Sequence, residues 1–219
     1  MRLIAKITIL ILLSVNLFSF SFFSYFSSNV SSENLLAISW QENFCKLNSY
    51  KRECKRFRKN DFGWNNFVLH GLWPEPRSKH NCSNKYKRLN NDVFRQLKIV
   101  MPSVASGLQK HEWRKHGSCY GKSERNYFMD AMSLLKQINN SKIRDFFIAN
   151  RGRVITKKSL NMAIKKSFGN ATRKVRMICV KGLITELRFS LKGEVSKNNL
   201  PTLLKNAKPL IGGCQKGRI

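Results

Sequence analysis

From Ile7 to Phe26 the chain carries no charge, and beyond it the apolar positions break into short, patterned runs. The uncharged stretch follows a basic start, Arg2 and Lys6, which is the order of a secretory signal. It is about the length of a membrane span. Ser14, Asn16, Ser19, Ser21 and Ser24 dilute it, however, which favours a cleaved signal over a retained anchor. The expected cleavage lies between Ser27 and Ala37, which gives a signal over 1–37 and one domain over 38–219.

The later runs alternate between two periods. Leu35 to Trp40 and Asn66 to His70 are short apolar runs beside turn residues, and both predict strands. Over Asp92–Val100 the apolar positions Val93, Leu97 and Val100 share one face, which predicts a helix closed by Pro102. Residues 109–117 predict a second short helix ending at Gly117. Over Glu124–Ile138 the residues Tyr127, Phe128, Ala131, Leu134, Leu135 and Ile138 form one stripe, the clearest helix of the chain. Ser159–Phe168 predicts another, stopping at Gly169. Val175–Val180 and Leu183–Leu191 predict a strand pair turning at Lys181-Gly182. Strands and helices mix without strict alternation, so the expected class is α+β with a largely antiparallel sheet. No internal repeat or low-complexity linker divides the domain.

Six cysteines follow the apolar run: Cys45, Cys54, Cys82, Cys119, Cys179 and Cys214. An even number in an exported chain points to three disulfides, and spacing alone leaves all pairings open. No C-x-x-C pair is present, which speaks against structural zinc. Four N-x-S/T sequons begin at Asn29, Asn81, Asn139 and Asn170 and matter only in a glycosylating host. The net charge is +29, and removing the first 37 residues, with Arg2, Lys6 and Glu33, leaves +28. An excess of that size exceeds what solubility needs and attracts polyanions by counterion release.

The candidate chemistry lies in HEWRKHGSC, residues 111–119. It nearly spells the zinc-protease H-E-x-x-H, but the second histidine comes one residue late and Lys115 holds the fourth position, a poor neighbour for a dication. On a helix, His111, Lys115, Glu112 and His116 fall within about 140° of one another, with Trp113 turned towards the core. Two imidazoles can exchange protons near neutral pH, and a lysine can stabilise charge building on a phosphate. Taken alone, the segment is equally a solvated charged helix. A second stretch, NNFVLHGLWPEP over 65–76, places His70 at a predicted strand end beside Trp73, an aromatic suited to stacking on a base.

Together, His70-Gly71-Leu72-Trp73-Pro74 and His111-Glu112-Trp113-Arg114-Lys115-His116-Gly117 resemble the two active-site segments of the ribonuclease T2 family. Ala37-Ile38-Ser39-Trp40 with Phe44-Cys45, Tyr127-Phe128, and Leu183 to Arg188 extend the likeness over roughly Leu36 to Cys214. Glu42 departs from it, standing where a proline is expected. The resemblance implies a disulfide-stabilised antiparallel sheet flanked by helices, with the catalytic residues on a strand end and a facing helix. It implies the pairs Cys45–Cys54, Cys82–Cys119 and Cys179–Cys214. It also implies no further C-terminal bridge, since Phe189 stands where a cysteine would be.

The implied reaction is metal-independent and cofactor-free cleavage of single-stranded RNA. His116 is the implied general base on the ribose 2′-hydroxyl and His70 the general acid on the departing 5′-oxygen. Lys115 and Glu112 stabilise the transition state, and His111 binds phosphate. Trp73 walls the base pocket, and Glu75 occupies a base-contacting position. The product passes through a 2′,3′-cyclic phosphate to a 3′-phosphate, so DNA is inert. RNA is the expected partner of a monomeric exported chain, secreted or periplasmic, with no membrane contact beyond the signal. His80 is expected to be a solvated loop histidine. The competing reading is a basic RNA- or polyanion-binding protein on the same fold without catalysis.

Overall fold

The computed structural model describes residues 30–76 and 80–219. Most of the expected signal, residues 1–29 with the Asn29 sequon, lies outside the described residues. The strands are β1 (Glu33–Ser39), β2 (Val68–Pro74), β3 (Val154–Thr156), β4 (Val175–Val180), β5 (Leu183–Lys192) and β6 (Lys216–Arg218). β2, β1, β5 and β4 lie side by side, all antiparallel, while β6 touches β5 at Leu183 opposite Arg218 and pairs with β3. The predicted class therefore holds. One boundary does not fit, because β1 includes residues 33–37 as a central strand, so a domain beginning at residue 38 would cut it.

Period-two alternation gives this sheet two unlike faces. Rows of aligned residues on one face, Leu72–Leu36–Phe189–Val175 and Leu69–Ile38–Leu187–Met177, are all buried. The other face carries Gly71–Ala37–Arg188–Arg176 and, one row on, Ser39–Glu186–Ile178. Small side chains on β1 leave room above it, so long polar groups on β5 can reach across towards β2.

The helices are α1 (Gln41–Leu47), α2 (Arg52–Lys55), α3 (Phe62–Asn65), α4 (Asn91–Val100), α5 (Leu108–Lys115), α6 (Glu124–Asn139), α7 (Lys142–Ala149), α8 (Lys157–Phe168) and α9 (Leu200–Asn206). Local chemistry starts several of them. Ser123 and Ser141 accept backbone N–H groups at the starts of α6 and α7, and Thr156 with Ser159 forms a capping box on α8. Glu42 lies in the first turn of α1, where a carboxylate suits the helix dipole, and it pairs with Lys46 at 2.8 Å and Arg151 at 3.6 Å.

The stripe of α6 packs on the apolar sheet face, and the Tyr127 hydroxyl donates to the Leu72 carbonyl at 2.8 Å. Trp40, Phe67 and Phe147 meet edge to face or tilted at 4.7–5.3 Å, and truncating any one would cost about 3–5 kcal/mol. Asn139 is buried and exchanges two hydrogen bonds with the Phe67 backbone, at 2.9 and 3.0 Å, so its sequon is closed to a glycan. Disulfides join Cys45–Cys54, Cys82–Cys119 and Cys179–Cys214, the pairs that the resemblance implied. Phe189 is fully buried in the apolar row.

Candidate active site

His70 does not end its strand. β2 continues to Pro74, which an edge strand tolerates because it has no ladder partner on its outer side. The register slips within it: Leu69 opposes Ile38 and Gly71 opposes Ala37, so His70 is the extra residue of a β-bulge. A bulge frees one residue from the alternation and re-aims its side chain. Here it turns the imidazole to the polar face, where its Nδ1 lies 2.5 Å from Glu186 Oε1 on β5. Arg188 holds the other Glu186 oxygen through Nε at 2.9 Å and a terminal nitrogen at 2.8 Å.

α5 supplies the opposite wall. Glu112 is buried, 2 % exposed, and its Oε2 accepts the Trp73 indole N–H at 2.7 Å while its Oε1 lies 3.7 Å from His70 Nε2. Gly71 permits that approach, since a Cβ there would collide with Glu112 Oε2 and come within 2.6 Å of Trp73 Nε1. Trp113 is buried as predicted and donates to the Lys85 carbonyl at 2.8 Å. The helix stops at Lys115, and His116 is its capping residue at φ −126°, with its N–H on the Glu112 carbonyl at 3.0 Å. The helical wheel therefore overextends by one residue, yet His116 still reaches the site.

His70, Trp73, His80, His111, Glu112, Lys115 and His116 line one cleft of about 440 Å³ together with Pro74. Trp73 stands between the histidines: its ring lies 5.3 Å from that of His70, edge-on, and 5.2 Å from that of His116 at 30°. The Arg188 guanidinium lies 5.0 Å over the same indole. The expected base wall is thus also a spacer between the two imidazoles. Glu75 is not among the residues lining this cleft; it lines a separate pocket with Glu33, Pro76 and Lys192. The expected loop residue His80 is exposed but faces the cleft.

The two central histidines titrate in opposite directions. Burial alone would lower the proton affinity of His70, but the Glu186 hydrogen bond and the charges of Glu186 and Glu112 outweigh it and raise its pKa above 6.5. Burial, reinforced by Lys115 and the neighbouring histidines, lowers His116 to about 4. Burial and Lys115 also lower His111. Glu112 is raised by burial against the pull of His70, whereas Glu186, also opposed by burial, is lowered by His70 and Arg188. The two imidazoles are thereby displaced in opposite directions, one towards its cationic and the other towards its neutral form.

The Ribonuclease T2 family model matches residues 33–200, from β1 to the first residue of α9. The chain belongs to the ribonuclease T2 family. Among curated members, Ribonuclease I of Escherichia coli (strain K12) is 25 % identical over 83 % of each chain. Ribonuclease T2-A of Mus musculus is 33 % identical over 43 % of this chain and 42 % of its own. Two solved structures share the fold. RNase NT in complex with 5′-AMP has a TM-score of 0.57 at 19 % identity, covering 85 % of this chain and 96 % of its own. The self-incompatibility associated SF11-RNase of Nicotiana alata has a TM-score of 0.60 at 20 % identity, covering 84 % and 95 %.

Within this T2-family site, sequence reasoning passed over Glu186 and Arg188 as site residues. Their signal is two opposite charges two apart, alternating with the apolar Leu187, Phe189 and Leu191, which places both on one face. What that face meets depends on strand order, which the sequence does not state.

Proposed function

We propose that this T2-family protein is an exported, metal-independent endoribonuclease that cleaves single-stranded RNA by transesterification. The observation that carries the reading is the opposite displacement of two histidines across one cleft, His70 raised and His116 lowered to about 4. His116, neutral, takes the proton of the ribose 2′-hydroxyl, and the 2′-oxygen attacks the adjacent phosphorus. The P–O5′ bond breaks, and cationic His70 gives its proton to the leaving 5′-oxygen. A 2′,3′-cyclic phosphate remains.

The roles then reverse. Neutral His70 takes a proton from water as it attacks phosphorus, and His116 returns its proton to the 2′-oxygen, leaving a 3′-phosphate. Lys115 and His111 meet the charge on the non-bridging oxygens, and Trp73 walls the base side. Buried Glu112, beside His70 and on the Trp73 indole, holds both in place. Glu75, outside the cleft lining, would contact a base only beyond the reacting nucleotide.

For export, the uncharged run of Ile7–Phe26 and three disulfides support a cleaved signal. Because β1 begins at Glu33 and the Ser31 N–H bonds the Tyr120 carbonyl at 2.9 Å, the cleavage compatible with the fold falls ahead of Val30. Among the described residues no helix is long and apolar enough to cross a membrane.

The test is RNA digestion in EDTA over pH 4–8 with the wild type and His116→Ala, with products analysed for cyclic phosphate. Cleavage of RNA but not DNA, unaffected by EDTA and lost in the variant, is expected. Tight RNA binding without cleavage by the disulfide-bonded protein would overturn the enzymatic reading and leave the polyanion-binding one.

A further inference from the structure

Beside the cleft lies a second concavity, of about 570 Å³, lined by Asn81, Asn84, Gly107, Lys110, His111, Arg114 and Lys115. His111 and Lys115 border both, so the two hollows are continuous along α5. The helix divides cleanly by face. Glu112 and Trp113 turn inward and are buried, while Lys110, His111, Arg114 and Lys115 are exposed and fall within about 140° of one another.

The far wall of this groove is fixed. The Cys82–Cys119 disulfide, the Asn81 N–H on the Lys115 carbonyl at 2.9 Å and the Ser83 N–H on Ser118 Oγ at 3.1 Å tie the segment from Asn81 to Ser83 against the end of α5. Trp113 reaches the Lys85 carbonyl just beyond. Asn81 and Asn84 line the groove together with the cations of the helix. No acidic residue lines the groove, and among the described residues Lys110, Arg114 and Lys115 make no ion pair. Some other cations are neutralised locally, as Lys122 is by Asp130 and Lys142 by Asp145. Cations left unpaired in a rigid concavity retain their attraction for an external anion, because no internal carboxylate must be displaced.

We infer that this groove is a phosphate-binding track for the RNA chain beyond the scissile nucleotide, with Lys110 and Arg114 meeting phosphates that the catalytic cleft does not hold. The inference rests on the ribonuclease reading and deepens it: the enzyme is built for polymer over dinucleotide. Lys110 and Arg114 are four residues apart, about 6 Å along the helix, so they present two separated charges to a backbone leaving the cleft.

The experiment uses the full exported protein and Lys110→Gln/Arg114→Gln, with Lys165→Gln/Lys166→Gln on exposed positions of α8 as a control of equal charge change. Binding of a 2′-deoxy oligonucleotide, which cannot be cleaved, is measured against salt, and kcat/KM is compared on polymeric RNA and on a dinucleoside monophosphate. Removing two phosphate contacts should reduce the salt slope of log K by about 1.4 and should cost polymer cleavage about fivefold to tenfold more than dinucleotide cleavage. Equal losses in the control pair, or equal losses on polymer and dinucleotide, would overturn the track. If the wild type cleaved neither substrate, the ribonuclease reading would fail. The oligonucleotide titration would still decide the groove: a reduced slope in the variant supports a polyanion track, and an unchanged slope refutes it.

Discussion

Replacing Glu186 with glutamine tests the acid half of the proposed mechanism most directly. The substitution keeps the size of the side chain and an acceptor oxygen, but removes the charge that lies 2.5 Å from His70 Nδ1. Arg188 donates twice to the second Glu186 oxygen, so it would claim the single amide oxygen and leave the amide N–H facing His70. The imidazole would then meet a donor where it now meets an anion, and its cationic form would lose most of its support. A charge-assisted hydrogen bond is worth about 1.5–3 kcal/mol. Lost from the protonated form alone, that corresponds to about a 10- to 100-fold fall in kcat/KM near pH 7. The sign follows from linkage. His70 is raised above 6.5 in the wild type, so the proposed general acid keeps its proton further towards neutral pH, and Glu186→Gln should move the alkaline limb of the pH–kcat/KM profile to lower pH. The acid limb belongs to His116, near pH 4, and should stay in place. The assay is a steady-state pH profile on a dinucleoside monophosphate, with the His70 titration followed by NMR. A loss that is the same at every pH, with an unmoved alkaline limb, would refute a role for Glu186 in setting the protonation of His70.

Gly71→Ala should fold but lose at least about 100-fold in kcat/KM, because its Cβ displaces Glu112 and Trp73 from His70; activity within threefold of wild type would refute the close approach. The double variant Cys82→Ser/Cys119→Ser opens a loop with a sequence separation of 37 and should lose about 4 kcal/mol in denaturant unfolding, with a further fall in kcat as the cleft wall loosens. His116 has a lowered pKa in the fold, so the stability tied to its neutral form is complete above 6.5 and is lost as pH falls towards about 4. His116→Gln should therefore lose less stability than wild type between pH 7 and pH 4, measured by denaturant unfolding at each pH.

How far the sequence reaches is clearest where period and chemistry agree. The predicted helix over 124–138 becomes Glu124–Asn139 because its stripe and its serine cap act locally. The turn at Lys181-Gly182 takes φ values of 48° and 75°, as a two-residue hairpin requires. The three catalytic-type histidines, Glu112 and Lys115 were legible because their spacing within two short segments is itself the signal. α7 and α9 were not, since each is short and owes its stability to burial of Ile143, Phe147, Leu200, Leu203 and Leu204 against the rest of the domain. The bulge at His70 was equally out of reach, because register belongs to a pair of strands and not to either one. Glu186 lies 116 residues from His70, and only the strand order β2-β1-β5 brings them together.

That strand order also explains how so basic a chain raises the proton affinity of a histidine. The sequence contains 41 basic and 12 acidic residues, so an imidazole placed at random on its surface would be surrounded by positive charge and would lose its proton readily. His116, at the end of α5, is lowered first by burial and then by the charge of Lys115 beside it. His70 escapes a net lowering because two of the few carboxylates converge on it, Glu186 across the small side chains of β1 and Glu112 over Gly71. Burial and a neighbouring cation thus lower one imidazole, and two converging carboxylates raise the other. It follows that substitutions adding or removing distant surface lysines should shift His116 and His70 together and only slightly, because salt screens them. Substitutions at Glu186 and Glu112, which raise His70, or at Lys115, which lowers His116, should instead change the separation of the two pKa values.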